Sequence, residues 1–222
     1  NRQQTFHQLG ERVARLAGAL QKLGVQSGDR VAMLSLNSDR YLEYYLAVWW
    51  AGGVVNPVNT RWSAAEIAYS FEDSGSSILL VDETFRIMAE GFQAETKTLR
   101  ALIYTGDGAT PPAMLPYEEI LTAAAPVADA RRNGNDLAGI FYTGGTTGFP
   151  KGVMLSHANL WASGMSLLTN NAVPVGSVML HAAPMFHLAN GALMTAQLLR
   201  GGKHVMIPGF TPLAVLEAIQ NQ

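Results

Sequence analysis

Residues 28–58 read GDRVAMLSLNSDRYLEYYLAVWWAGGVVNPV, and this stretch determines the fold class of the chain. Val31 to Leu36 is a short apolar run of the kind that forms a buried strand, and the segment after it has helical periodicity. Gly52-Gly53 ends that helix before a second short apolar run, Val54 to Val58. A strand, a helix and another strand in this order predict a βαβ unit with parallel strands.

The helix of this unit carries five aromatic residues that are spaced as on one helix face. They are Tyr41, Tyr44, Tyr45, Trp49 and Trp50. Spacing of this kind is typical of a face that packs inward. We therefore expect these rings in the core, and we expect Asn37 or Ser38 to cap the helix.

The same alternation continues on both sides of residues 28–58. Thr5 with Gln8, and Ser63 with Glu66, form capping boxes that predict two further helix starts. Other predicted strands are Ser77 to Val81, Leu99 to Tyr104, Leu137 to Tyr142, Gly152 to Leu155, Val178 to Ala183 and His204 to Ile207; other predicted helices lie near Thr84 to Phe92, after Ser156, over Leu188 to Leu199, and after Thr211. Thr105 to Pro116 and Pro126 to Asn135 are predicted loops. The pattern predicts an α/β fold of layered, helix-flanked β-sheets.

The composition excludes several functional classes. The 222 residues include 17 Asp and Glu and 15 Lys and Arg, and the net charge is −2, so the chain lacks the basic surface that nucleic-acid binding requires. The chain has no Cys, which means that any thioester chemistry must use the sulfur of another molecule. Neither a signal-peptide core nor an initiating Met is present, and we expect a cytoplasmic protein whose N-terminus was cut or is disordered.

The segment from Gly152 to Leu199 contains no charged residue over 48 positions. A membrane span needs about 20 nearly continuous apolar residues. Asn and His residues and prolines interrupt this segment, so it does not meet that requirement. We expect it to form buried core, and a core that also lines an apolar ligand site is the alternative.

Residues 142–153, YTGGTTGFPKGV, have a composition that indicates anion binding. Glycines allow successive N–H groups to point to one side, and no Cβ blocks the approach of a phosphate. The predicted donors of this Gly/Thr loop are Thr143, Gly144, Gly145, Thr146, Thr147, Gly148 and Lys151. It is not a Walker A loop, because Gly152 follows the lysine where Ser or Thr is needed, and it is not a dinucleotide-binding Gly-x-Gly-x-x-Gly. A hairpin whose lysine is merely solvated is the alternative.

The chain resembles the adenylate-forming superfamily, which includes acyl-CoA synthetases, luciferases and peptide-synthetase adenylation domains. The family signature, Tyr-Thr-Ser-Gly-Thr-Thr-Gly-x-Pro-Lys-Gly-Val, matches residues 142–153 except at Gly144, where the family commonly has Ser. Further matching segments are Gly28 to Ala32, Gly52 to Pro57, Glu66-Ile67, Leu155 to Leu160 and Pro184 to His187. The resemblance covers the whole chain and is greatest to the N-terminal portion of acyl-CoA synthetases.

The resemblance implies an ATP-dependent ligase. A carboxylate, fatty or aryl, would attack the α-phosphorus of ATP, and coenzyme A would then displace AMP from the acyl-adenylate. The Gly/Thr loop would hold the β- and γ-phosphates together with Mg²⁺, with Lys151 as the catalytic residue there. Phe186 and His187 match the family's aromatic/His motif beside the acyl and pantetheine pocket, with His187 as the second catalytic candidate, a pocket wall or gate. A satisfied core histidine is the alternative for His187. His157 and His181 are interpreted as structural, and no residue is assigned as a metal ligand.

The resemblance also implies a division of the chain and a missing part. Residues 1–57 and 172–222 would share one helix-flanked sheet, and residues 58–171 would build the second, which carries the Gly/Thr loop. The adenine- and ribose-binding motifs and the C-terminal domain with its catalytic lysine would follow residue 222, so the chain alone would be inactive. A carrier-protein acceptor, a non-catalytic nucleotide-binding scaffold and a homodimer remain alternatives or additions.

Overall fold

The computed structural model describes residues 2–144 and 148–221. Helices and strands alternate along nearly the whole chain, as the βαβ pattern predicts. In chain order the elements are α1 (Phe6–Lys22), β1 (Arg30–Leu34), α2 (Asp39–Trp50), β2 (Val54–Pro57), α3 (Ala64–Ser74), β3 (Ser76–Val81), α4 (Arg86–Glu95), β4 (Ala101–Tyr104), β5 (Leu115–Pro116), α5 (Tyr117–Ala123), β6 (Leu137–Thr143), β7 (Lys151–Ser156), α6 (His157–Thr169), β8 (Val178–His181), α7 (Leu188–Arg200), β9 (Lys203–Met206) and α8 (Pro212–Gln220).

Seven of the strands form one sheet in the order β5-β4-β3-β1-β2-β6-β7. All neighbours in it are parallel except β6 and β7, which form an antiparallel hairpin. The central strand β1 pairs Val31 with Val55 of β2 and with Ile78 of β3. Parallel strands covered on both faces read as continuous apolar runs, which is why this part of the sequence shows little alternation.

The predicted sheet membership differs from this order. β1 and β2, within residues 1–57, are hydrogen-bonded to strands of 58–171, while β8 and β9 pair only with each other among the described residues. The prediction that 1–57 and 172–222 share a sheet is therefore wrong here, because β1 lies between β2 and β3. The division into two lobes of a larger domain remains a prediction.

Helices cover both faces of the seven-stranded sheet and enclose two apolar clusters. One contains Leu16 of α1 and Tyr44 of α2. The other contains Phe71 of α3 and Phe92 of α4. The predicted burial of the aromatic α2 face is confirmed, since its three tyrosines are fully buried and the indole N–H groups of Trp49 and Trp50 donate to backbone carbonyls.

Capping residues in the sequence predicted most of the helix starts correctly. Both predicted capping boxes are present, at Thr5 of α1 and Ser63 of α3, and Ser38 caps α2. The sequence interpretation missed α5 and assigned the short strand β5 to a loop. None of the described helices is long and apolar enough to cross a membrane.

The uncharged segment is buried only in part. The inner face of α7 is buried, as predicted, with Met194 in the core. On α6, however, Gly164 alone is buried and Trp161 is exposed, so the prediction is wrong for this helix. The reason is that the outer side of α6 meets no covering element among the described residues.

Candidate functional site

The Gly/Thr loop connects β6 and β7 at the edge of the seven-stranded sheet. Thr143 and Lys151 form the last residue pair of the hairpin, and the Thr143 hydroxyl donates to the Lys151 carbonyl at 3.4 Å. Predicted binding residues Gly145, Thr146 and Thr147 lie outside the described residues. The hairpin therefore fixes both ends of the predicted phosphate loop at the same point of the sheet.

The two described glycines of the loop interior leave open space above the backbone. A Cβ built on Gly144 or on Gly148 would meet no atom of residues 2–144 and 148–221 within 4 Å. Gly148 has a φ of 109°, in the region that side chains other than glycine rarely adopt. No side chain of the described residues therefore blocks the approach of an anion to the main chain at these two positions.

Lys151 supplies a positive charge at the base of the loop. Its side chain is exposed. Among residues 2–144 and 148–221, no carboxylate lies within ion-pair distance of its ammonium group. The charge is thus available to an anion that comes from outside the described chain.

Helix α3 packs against the hairpin, a feature that the sequence interpretation missed. The Tyr142 hydroxyl donates to Asp73 Oδ2 at 2.6 Å, and burial together with this bond raises the pKa of Tyr142. The rings of Phe149 and Tyr69 stack with centroids 4.6 Å apart. Helix α3 thus contacts the hairpin at Tyr142, before the loop, and at Phe149, after Gly148.

Phe186 and His187 lie on a different element, at the start of α7. His187 is exposed and caps that helix, and its Nδ1 accepts from the Ala189 N–H at 3.2 Å. In the neutral ring the proton is then on Nε2. Phe186 is half-buried against the core. No hydrogen bond or ring contact within the described residues joins this segment to the hairpin, so the chain alone presents two separate candidate subsites.

The two histidines that were interpreted as structural are partly or fully enclosed. His181 is buried at the end of β8, and burial lowers its pKa. His157 packs against Trp49 beside a cavity of about 420 Å³, and burial lowers its pKa as well. In the part of the chain that the structure describes, no group of three His, Asp or Glu side chains could hold a metal ion.

Comparison with known proteins identifies relatives along the whole chain. The model of the family described as AMP-binding enzyme matches residues 1–222. A long-chain-fatty-acid–CoA ligase of Thermus thermophilus is 36% identical over 98% of this chain and 40% of its own length. A feruloyl-CoA synthase of Amycolatopsis sp is 34% identical over 98% of this chain and 42% of its own length. The chain therefore spans about two fifths of the length of these relatives.

Solved structures agree with the fold. The inhibitor-bound N-terminal domain of FACL13 from Mycobacterium tuberculosis superposes with a TM-score of 0.86 at 29% identity, covering 97% of this chain and 53% of that one. ATP-bound MatB from Rhodopseudomonas palustris gives a TM-score of 0.83 at 30% identity, covering 97% of this chain and 42% of that one. The layered α/β architecture predicted from the sequence is thus confirmed.

Proposed function

Because the chain belongs to the AMP-binding enzyme family, we propose that it is the N-terminal part of an ATP-dependent ligase that joins a carboxylic acid to coenzyme A. The acid attacks the α-phosphorus of ATP, pyrophosphate leaves, and the thiol of coenzyme A then displaces AMP from the acyl-adenylate. This chain supplies the groups that bind pyrophosphate and part of the acyl and thiol pocket.

The hairpin of β6 and β7 carries the proposal. Glycine backbone that no described side chain covers, at Gly144 and Gly148, occurs together with the Lys151 ammonium group, which forms no ion pair within the described part of the chain. The Coulomb attraction between the Lys151 ammonium group and one phosphate charge about 4 Å away is on the order of 4 kcal/mol at an effective dielectric constant near 20. As the carboxylate bonds to the α-phosphorus, the bond to the oxygen that bridges to the β-phosphate breaks and negative charge develops on the leaving pyrophosphate, so the lysine stabilises the transition state more than the ground state.

The remaining donors of the loop complete the proposed phosphate site. They are Thr143, Gly145, Thr146 and Thr147. Mg²⁺ would neutralise phosphate charge, and with no acidic cluster for a metal among the described residues it would enter on the nucleotide. ATP bound to MatB supports the nucleotide assignment.

The acyl and thiol side is proposed at Phe186 and His187, beside the uncharged helix α7. The chain has no Cys, which agrees with a thiol carried by coenzyme A. A fatty or aryl acid is supported by relatives that are named for long-chain fatty acids and for feruloyl groups. A carrier-protein thiol is the alternative acceptor.

The test is acid-dependent exchange of labelled pyrophosphate into ATP by the complete polypeptide that carries this chain. Lys151→Ala should lower the exchange rate by about 10²-fold or more, as for the loss of one transition-state donor. Lys97→Ala, at another exposed lysine, is the matched control and should leave it unchanged. A screen of fatty and aryl acids with the unaltered polypeptide identifies the substrate.

A non-catalytic nucleotide-binding scaffold is the competing function. The glycine-rich loop alone would serve it equally well, so a complete polypeptide that binds ATP but shows no acid-dependent exchange would favour the scaffold. We further propose that residues 1–222 alone make no acyl-adenylate, because the adenine- and ribose-binding motifs expected from the family are absent from their sequence. A cytoplasmic location stays a prediction.

A further inference from the structure

Three buried polar side chains surround the segment that connects β8 to α7. Asn37 is 6% exposed, Asn190 2% and His181 1%. Burial of amide and imidazole groups is unfavourable unless each finds hydrogen-bond partners. Each of these three side chains does find them, and most of the partners lie on residues 181–185.

Both the Nδ2 and the Oδ1 atoms of Asn37, which follows β1, form hydrogen bonds with this segment. Its Nδ2 donates to the carbonyls of His181 and Ala183 at 3.0 and 2.8 Å. Its Oδ1 accepts from the Met185 N–H at 2.7 Å. One side chain thus fixes three alternate positions of the segment and ties them to the central strand of the large sheet.

Asn190 holds the same segment from the α7 side. Its Nδ2 donates to the Ala183 carbonyl at 2.5 Å, so its Oδ1 faces His181 Nδ1, 2.6 Å away, and must accept from it. His181 therefore carries its proton on Nδ1 and accepts at Nε2 from His204 Nδ1, 2.9 Å away. The amide of Asn190 thus determines which ring nitrogen donates and which accepts between His181 and His204.

Tyr45 of α2 closes the arrangement. Its hydroxyl donates to the Met185 carbonyl at 2.9 Å, and Met185 itself is buried in the core. The chain then turns, with the His187 N–H donating to the Pro184 carbonyl at 3.1 Å. His187, two residues beyond the held position, is thus placed at the surface, where its Nδ1 accepts from the Ala189 N–H.

We propose that Asn37 and Asn190 are positioning residues for His187. They hold residues 181–185 so that the exposed ring of His187 has one location at the proposed acyl and thiol site. The role of that site rests on the proposed function. The positioning itself rests on the hydrogen bonds of residues 37, 190 and 45.

The experiment compares Asn37→Asp with Asn159→Asp in the complete polypeptide. Aspartate keeps the shape of Asn37 but removes the two donor bonds and places a charge against two carbonyls. At exposed Asn159, Oδ1 only accepts hydrogen bonds from Ser156, so the same substitution leaves that contact intact and serves as the control. Asn37→Asp should raise the KM for the acid or for coenzyme A by about tenfold. The KM for ATP should stay within about twofold, because the hairpin is a separate element.

A second readout does not depend on catalysis. Diethyl pyrocarbonate acylates the unprotonated ring nitrogen, which in His187 is Nδ1, engaged by the Ala189 N–H. Exposed His7 provides an internal standard in the same protein. Asn37→Asp should raise the modification rate of His187 relative to His7 by about threefold or more, because local opening frees Nδ1.

The outcomes separate the two proposals. Unchanged KM values with an unchanged His187 reactivity would overturn the positioning role, as would a loss of kcat that is equal in both half-reactions. If Asn37→Asp does not fold, Tyr45→Phe removes only the bond to Met185 and should shift both readouts in the same direction by a smaller factor; no shift there would also count against the proposal. A polypeptide without acid-dependent exchange contradicts the proposed function, while the reactivity of His187 still decides the positioning.

Discussion

The region around the seven-stranded sheet, residues 2–143, differs from the region of α6 to α8, residues 157–220, in how it buries apolar side chains. In the first region α1 buries eight residues. In the second, α8 buries none. Both regions have amphipathic or apolar helices, so the difference lies in what covers them. The first region forms most of its core from its own elements, with Met185 and Met194 contributed by the second. Helices α6 and α8 of the second region leave apolar side chains that nothing in the described chain covers.

The two regions also differ in the polar groups that they bury. Glu43 of α2 is fully buried, and it is paired with Arg12 at 2.6 Å and bonded to the Tyr117 hydroxyl at 2.6 Å. A buried carboxylate is tolerated only with such partners. The second region has buried amides and imidazoles in place of ion pairs. The two regions should therefore respond differently to truncation and to pH.

The largest expected contrast is between two leucines on helices of the two regions. Leu16→Ala in α1 should lower the free energy of unfolding by about 2–5 kcal/mol, because it opens a cavity in a closed core. Leu216→Ala in α8 should change it by less than about 0.5 kcal/mol, since that side chain is 65% exposed. Urea unfolding of the chain, followed by Trp fluorescence, measures both. Similar losses for the two variants would mean that the second region is as closed as the first.

The next contrast is in pH dependence. Burial, and then the neighbouring His181, lower the pKa of His204 from 6.5 to about 4. The unfolded chain binds this proton at higher pH than the folded chain does. Stability from this neutral pair is therefore fully present above pH 6.5, falls as the pH is lowered and is lost near pH 4. We expect a loss on the order of 2 kcal/mol between pH 7 and pH 4.5.

The Asp39 carboxylate of the first region titrates in a lower pH window. Burial raises the pKa of Asp39, but the hydrogen bond and charge of Arg2 outweigh it, so the pKa lies below 3.8. Stability from this pair is lost only as the pH falls below that value.

The variant His204→Asn tests the contribution of His204 to the pH dependence. It keeps a donor near the position of Nδ1 without the titrating ring, and should flatten the plot of unfolding free energy against pH between pH 6.5 and pH 4.5. An unaltered profile in this variant would exclude His204 as its source.

Local sequence signals predicted the parts of this fold that depend on near neighbours. The capping boxes at Thr5 and Ser63 involve partners three residues away, and both are present. The place of β1 between β2 and β3 depends on pairing across 20 or more residues, and the predicted sheet membership failed there. Asn37 was considered only as a helix cap, while its side chain in fact binds residues that are far along the chain.

The candidate site shows the same limit. Composition was sufficient to single out Lys151 and the glycines, because anion binding by backbone N–H groups is a property of one short segment. It could not reveal that Asp73 of α3 lies against Tyr142, since nothing in residues 142–153 encodes the partner. The predicted burial of α6 was too high, because a segment without charged residues does not reveal whether another helix or strand packs against it.

The smallest expected effect is at the contact that ties the hairpin to α3, on the border of the well-buried region. Tyr142→Phe removes the hydroxyl that donates to Asp73, and should lower the free energy of unfolding by about 1 kcal/mol. Because the loop would then be held on one side only, by Phe149 against Tyr69, the KM for ATP in the complete polypeptide should rise by a few fold while the KM for the acid does not. Tyr69→Leu, which removes the stacked ring from the other side, should add to this effect in the double variant. If Tyr142→Phe changes stability but leaves the KM for ATP unaltered, α3 supports the sheet edge without positioning the phosphate loop.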